Sequence, residues 1–211
     1  MGLPQFVPTS FLSYAIDFDG DGRSDIWNSV PDALASIANY LERHGWDSSI
    51  GWGEEVIYPS NITCALEGPE HGRSLADWQT LGLSSSTTEQ HTKLHLLLPA
   101  GRLGPSFLVT NNFYVLRQYN RSDAYALFVG HLSDRIGGLS RGFDGQWSPT
   151  GDLTYGEIRE IQLWLFQAGH DVATSGVMGY RTRIAVGLAQ AVLGLAETCF
   201  PDRQLLEAVR Q

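Results

Sequence analysis

The spacing of apolar residues changes character twice along this chain, and the change points to helices flanking a small β region. Between residues 32 and 44, Leu34, Ile37, Ala38 and Leu41 recur at i, i+3, i+4 and i+7, which is one face of a helix. Asp32 is expected to cap that helix and Gly45 to end it. From residue 46 to 105 the helical period disappears and Gly, Ser and Pro become frequent. Short runs such as Glu55-Val56-Ile57-Tyr58 and Leu96-Leu97-Leu98 read there as strands, with one short helix near residues 74–81. Helical spacing returns after Ser122, a suitable cap. Tyr125, Phe128, Val129, Leu132 and Ile136 supply an apolar stripe, and Gly137-Gly138 ends it.

A second boundary follows. Residues 140–151 (SRGFDGQWSPTG) show no periodicity and carry the small and polar residues of a linker. The segment beyond opens on Thr154-Tyr155-Gly156-Glu157, which has capping-box form, and Ile158, Ile161, Leu165 and Phe166 follow before Gly169. Further helices are expected near residues 180–193 and 202–210. The expected organisation is a first domain over residues 1–137, a linker over 138–151 and a three-helix module over 152–211. A chain of 211 residues can bury a core in each part.

Composition narrows the partners. Fourteen Lys and Arg stand against 23 Asp and Glu, a formal charge of −9, which argues against non-specific binding to nucleic acid or an anionic bilayer. No apolar run approaches the roughly 20 residues of a membrane span, and no signal peptide is visible at Met1-Gly2-Leu3-Pro4. Cys64 and Cys199, far apart, read as two unpaired thiols rather than a disulfide framework; an oxidising compartment would allow them to pair, though nothing in the spacing supports it.

The sharpest local motif is Asp17-Phe18-Asp19-Gly20-Asp21-Gly22-Arg23. Carboxylates at loop positions 1, 3 and 5, with Gly at 6, match the front half of an EF-hand, and the Arg23 carbonyl stands at position 7. Position 12 is Asn28 where a bidentate Glu is usual, so Asp32 is the expected closing ligand. All these donors are hard oxygens, which favours Ca²⁺ in a structural role. The bland alternative is a solvated Asx-rich turn.

Pro4-Gln5-Phe6-Val7-Pro8-Thr9-Ser10-Phe11, running into Tyr14-Ala15-Ile16-Asp17, resembles the lytic murein transglycosylases of the B type. The likeness continues in Ile26-Trp27, Ala38-Asn39-Tyr40-Leu41, His44-Gly45-Trp46, Asn112-Phe113-Tyr114-Val115 and Tyr119-Asn120-Arg121-Ser122-Asp123-Ala124-Tyr125. The last sixty residues are similar to a peptidoglycan-binding domain in Ile158-Arg159-Glu160-Ile161-Gln162, Gly176-Val177-Met178-Gly179, Thr182-Arg183 and Ala189-Gln190. They depart from it at Ser175-Gly176, where Asp-Gly is usual.

The resemblance implies an α+β chain: a partial lysozyme-like, mainly helical catalytic domain with a small irregular β insert, then a three-helix peptidoglycan-binding module. It implies cleavage between N-acetylmuramic acid and N-acetylglucosamine with formation of 1,6-anhydromuramyl ends, in the bacterial periplasm or envelope, by a monomer acting on glycan strands. It also implies that Gln5, Tyr40, Tyr119, Asn120 and Tyr125 line the sugar site. The chemistry fits these types, since Tyr rings stack on pyranose faces and amides both donate and accept. For Tyr40, which falls among helical residues, core packing is the competing reading, and for Asn120 a turn.

Such cleavage needs an acid for the leaving oxygen and then a base for the muramyl C6 hydroxyl, and one Glu can serve as both. In the family that Glu precedes the Pro-Gln-Phe segment, which here begins at residue 4. The chain is therefore expected to lack the N-terminal half of the catalytic domain, to hold no catalytic residue, and to bind without cleaving. Loss of that half should leave apolar surface uncovered. The neighbouring Glu54 and Glu55 read as a solvated pair, His91 and His95 beside Glu89 as a strand and not a zinc site, and His44 as a helix-end cap.

Overall fold

The computed structural model describes residues 1–85, 93–139 and 142–211. Its order is two helices, α1 (Pro8–Tyr14) and α2 (Val30–Arg43), strand β1 (Gly53–Val56), helix α3 (Leu75–Thr80), and strands β2 (His95–Leu97), β3 (Pro99–Arg102) and β4 (Ser106–Val109). Five helices follow: α4 (Asn111–Tyr119), α5 (Asp123–Ile136), α6 (Tyr155–Gln167), α7 (Tyr180–Val192) and α8 (Arg203–Val209). The expected β region is a three-stranded antiparallel sheet in the order β1-β4-β2. β4 is central and buried along its whole length, which suits its apolar Phe107-Leu108-Val109. No described helix is long and apolar enough to cross a membrane.

Capping chemistry explains where most helices start. Ser74 and Thr154 each close a capping box, and Ser122 accepts from the Tyr125 amide. In α2 the expectation is corrected: Ser29 is the cap and Pro31 stands in the first turn, where a missing N–H costs nothing. Asp32 is released to turn its carboxylate the other way, toward the acidic loop.

The stripe expected on α5 is also corrected. Phe128 is 64% exposed and Ile136 80%, while Ala126, Leu127 and Gly130 are buried. The cause is close approach. A Cβ at residue 130 would lie 2.6 Å from the Trp52 ring, so the helix meets the sheet through its smallest side chains. Trp52, Phe107, Val109, Phe113 and Leu127 form the core between them, and the Trp52 indole donates to Asp134 Oδ2 at 2.7 Å.

The C-terminal helices have their own core, with Ile161, Leu165, Val186, Leu205 and Leu206 at its centre. Buried amides tie down their loops. Gln162 donates to Val177 O and accepts from the Gly176 amide, and Gln190 donates to Phe200 O and accepts from the Cys199 amide. Several residues that carry the resemblance in this part are therefore loop anchors.

Among the links that join these helices to the rest, two are buried. Cys64 and Cys199 form a disulfide, with Cα atoms 6.3 Å apart, which overturns the expectation of unpaired thiols. Folding brings the 3-10 turn at Cys64–Leu66 against α7, and Gly187 leaves room for the bond, since a Cβ there would collide with Cys64 Sγ. Beside it lies a buried ion pair. Arg183 Nε donates to both oxygens of Glu67 at 3.0 and 3.1 Å, and its Nη2 reaches Asp123 at 3.2 Å. Glu67 also accepts from the Leu98 amide. Burial pushes the Glu67 carboxyl up, and the guanidinium against it pulls it back.

Candidate glycan cleft and acidic loop

A cleft of about 550 Å³ opens between the N-terminal segment and helices α2, α4 and α5. Leu3, Ile37, Leu41, Leu116 and Val129 give it apolar walls, and Gln5, Asn120 and Tyr125 add polar atoms. Four of the five expected site residues (Gln5, Tyr119, Asn120 and Tyr125) are brought together here. Among the described residues, none lining this cleft is a carboxylate.

Each polar group is set by local structure. Gln5 has a φ of 56°, in the left-handed region, and both its backbone N–H and its Nε2 donate to Gly2 O. Tyr119 ends α4, and its hydroxyl donates to Pro4 O. That hydroxyl is therefore occupied in holding the strained segment beside Gln5, and burial pushes it up to about 12. Tyr119 lines the cleft with that hydroxyl already engaged, which leaves its ring as the group available for contact. Asn120 makes an Asx turn, its Oδ1 accepting from the Ser122 amide at 3.2 Å, so it is both a turn residue and a lining residue.

Tyr40 stands behind the cleft and not on its wall. It is buried, its hydroxyl donates to Gln118 O at 2.8 Å, and its ring packs among Phe6, Tyr14 and Tyr119. His44 stacks on Tyr40 with centroids 4.1 Å apart, and its Nδ1 meets Tyr40 O at 2.7 Å at the end of α2. The apolar walls and the helix α4 lie beyond what the sequence reading identifies. Thr110 capping Asn112, with Phe113 and Leu116 three apart, was the available signal.

The acidic loop is ordered by its own backbone. Asp17 accepts from the Gly20 and Gly22 amides, both at 2.8 Å, and Asp21 accepts from the Arg23 amide. Asp32 is almost fully buried and accepts from the Phe18 amide at 2.9 Å and the Asp25 amide at 2.8 Å. The Phe18 bond leads in holding that carboxyl below its ordinary range. Carboxylate oxygens of Asp17, Asp19 and Asp32 lie within 4.8 Å of one another, close enough to share one cation. Asp21 stands outside that cluster, and so does Asp25, which binds Asn28 through backbone and side chain.

Away from the cleft, the reading of Glu54 and Glu55 as a solvated pair is corrected: both are half-buried, and each accepts hydrogen bonds, Glu54 from the Ser85 hydroxyl. Glu54 and Glu55 lie on β1, and Glu55 accepts from the Asp144 and Gly145 amides, so it anchors the segment between the two parts. His95 lies on β2, while Glu89 and His91 fall outside the described residues.

Residues 1–134 match the family model described as the transglycosylase SLT domain. The membrane-bound lytic murein transglycosylase B of Escherichia coli (strain K12) is 33% identical over 141 residues, covering 64% of this chain and 37% of its own length. Among solved structures, SltB3 from Pseudomonas aeruginosa in complex with NAG-anhNAM-pentapeptide superposes with a TM-score of 0.87 at 40% identity. The match takes in 100% of this chain and 58% of that one. Slt35 of Escherichia coli in complex with calcium gives a TM-score of 0.52 at 28% identity over 65% of this chain and 44% of its own. The chain thus spans less than two thirds of each of these relatives. Its mostly helical architecture with a small antiparallel sheet is the lysozyme-like SLT fold, and the chain belongs to the transglycosylase SLT family.

Proposed function

We propose that the cleft walled by α2, α4 and α5 binds peptidoglycan glycan strands, as part of a lytic transglycosylase that leaves 1,6-anhydromuramyl ends. The observation that carries this reading is the convergence of Gln5, Tyr119, Asn120 and Tyr125 on one apolar-walled cleft in an SLT-family fold. Tyr125 and Tyr119 offer ring faces to pyranose rings, and the Gln5 and Asn120 amides meet N-acetyl and hydroxyl groups. Tyr40 acts indirectly, by packing under Tyr119. The SltB3 relative, solved with NAG-anhNAM-pentapeptide and NAG-NAM-pentapeptide, supports a muropeptide as the ligand.

Cleavage requires a carboxyl within hydrogen-bond reach of the glycosidic oxygen. The absence of any carboxylate among the described cleft-lining residues favours a narrower reading for these 211 residues taken alone: they bind glycan and do not cut it. A tetrasaccharide of alternating N-acetylglucosamine and N-acetylmuramic acid should bind the purified chain. Tyr125→Ala and Asn120→Ala should each weaken that binding by roughly 5- to 10-fold, the loss of one stacking or hydrogen-bonding group. A murein zymogram of the same protein should show no clearing; clearing would refute the binding-only reading, and absence of tetrasaccharide binding would refute the cleft.

The acidic loop fits a structural Ca²⁺. Asp17, Asp19 and Asp32 would supply carboxylate oxygens, with Arg23 offering its carbonyl and Asp21 supporting the loop from outside the cluster. The calcium-bound Slt35 relative supports the identity of the ion. Bound there, the ion would fix the loop to the first turn of α2, whose Ile37 and Leu41 line the cleft. The helices α6–α8 are assigned a wall-binding role on the sequence pattern alone, and the whole is assigned to the cell envelope as a monomer. The Cys64–Cys199 bond accords with an oxidising compartment.

A further inference from the structure

A second cavity, of about 690 Å³, lies between α5 and the C-terminal helices, and nothing in the glycan reading uses it. Phe128, Phe143, Trp147, Val177 and Met178 wall it, and Arg121 stands at its edge. The two cavities share their supports. Leu116, Asn120, Tyr125 and Val129 face the glycan cleft, while the adjacent Arg117, Arg121, Ala124 and Phe128 face the junction cavity. One exposed turn, Asn120-Arg121-Ser122, separates them.

We propose that this junction cavity receives the peptide stem carried by a muramyl residue bound in the glycan cleft. The proposal rests on the glycan-binding reading of that cleft and extends it to the substrate's side chain. Reach is sufficient: an extended pentapeptide spans about 17 Å, more than the roughly 10–12 Å thickness of the helix it must cross. The chemistry is complementary as well. A peptidoglycan stem carries free carboxylates and alanyl methyl groups, and the cavity offers a cation above apolar walls. Arg121 is exposed and has no acidic partner among the described residues. The one carboxylate on the cavity wall, Asp123, is neutralised by Arg117 at 3.0 Å and Arg183 at 3.2 Å, so it does not oppose an anionic guest. Phe128 and Trp147, 64% and 53% exposed, would cover themselves against the methyl groups.

The 211-residue chain should be titrated with three probes: the peptide-free tetrasaccharide, the same glycan bearing pentapeptide stems, and the free pentapeptide. Binding by calorimetry and the tryptophan fluorescence of Trp147 against a Trp147→Phe control give the readouts. The peptide-bearing glycan should bind roughly tenfold tighter than the bare one, since it adds an ion pair and buried methyl groups. Arg121→Glu and Phe128→Ser, both at exposed positions, should reduce that advantage to under twofold and leave bare-glycan affinity unchanged. Equal affinity for the two glycans in the parent protein would overturn the proposal while leaving the cleft reading intact. So would variants that weaken both glycans alike. If the bare glycan fails to bind while free pentapeptide still changes Trp147 fluorescence in an Arg121-dependent way, the cleft reading falls and the peptide site stands. Failure of all three probes would remove both.

Discussion

Replacing Arg183 by methionine tests the buried ion pair that helps to couple α7 to the family domain. The guanidinium is almost fully buried against Glu67, which has no exposed surface, so solvent cannot take over its role. Removing it leaves Glu67 with one remaining partner, the Leu98 amide at 2.9 Å, while Asp123 keeps Arg117 at 3.0 Å. An uncompensated buried charge of this kind costs about 3–5 kcal/mol. With an unfolding entropy of about 2.1 cal/mol/K per residue, a chain of 211 residues should melt about 7–11 °C lower. The penalty should depend on pH with a defined sign. Burial already pushes the Glu67 carboxyl up, and without Arg183 it rises further. A carboxyl whose folded pKa exceeds its unfolded value binds more protons when folded, so the variant loses stability as pH rises above about 4.5. Combining Arg183→Met with Glu67→Gln removes the charge and keeps an acceptor for the Leu98 amide, and should restore most of the loss. Calorimetry of the parent, single and double variants at pH 5 and pH 8 tests this. A single variant melting within 2 °C of the parent, or a double variant no better than the single, would show that the pair does not act as a buried charge with its counterion.

Three further outcomes are expected. The disulfide closes a separation of 135 residues, and replacing both cysteines by serine should cost about 5 kcal/mol on the chain-entropy account, read by denaturant unfolding under non-reducing conditions. Millimolar Ca²⁺ should stabilise the parent, by about 2.7 kcal/mol at a hundredfold excess over Kd, and so raise its melting temperature, and Asp32→Asn should abolish the increase; equal melting with calcium and chelator would remove the cation. The Thr154 amide, the Thr154 hydroxyl and Arg203 hold the Glu157 carboxyl down to about 2. Its contribution is therefore present above about 4.5 and is lost as pH falls toward 2, so the melting difference between the parent and Glu157→Gln should shrink across that window.

What could be read from the sequence follows the range of the interaction. Capping at Ser74, Ser122 and Thr154 is decided within four residues, and those helices start where their caps predict. The strands at Glu55 and Leu96 announce themselves through β-branched or apolar runs bounded by Gly and Pro. The α5 stripe misled because period counting weights large side chains, whereas Gly130 and Ala126 bury by admitting Trp52. Cys64 with Cys199, and Glu67 with Arg183, are separated by more than one hundred residues, and no local pattern marks either partner. In the candidate site, the family resemblance implied five lining positions, of which Gln5, Tyr119, Asn120 and Tyr125 line the cleft. That the Tyr119 hydroxyl is committed to Pro4 and that Tyr40 lies underneath are set by contacts across more than seventy residues, which no local pattern marks.

The long-range links also explain how a cleft with a thin N-terminal wall keeps its shape. Gln5 sits in a left-handed conformation that a non-glycine residue adopts at some cost, and the Tyr119 hydroxyl on the neighbouring Pro4 carbonyl helps to hold it. Tyr119 is fixed in turn by Phe6 and Tyr40, and Tyr40 by His44 at the end of α2. The other end of α2 is tied through Asp32 to the amides of Phe18 and Asp25. A perturbation at the acidic loop therefore has a packed route to Gln5 that passes through one helix and one aromatic cluster. On the opposite side, Asp123 in the first turn of α5 takes Arg183 from α7, two residues before the cleft-lining Tyr125. Contacts thus tie the cleft to the acidic loop at one end and to the C-terminal helices at the other.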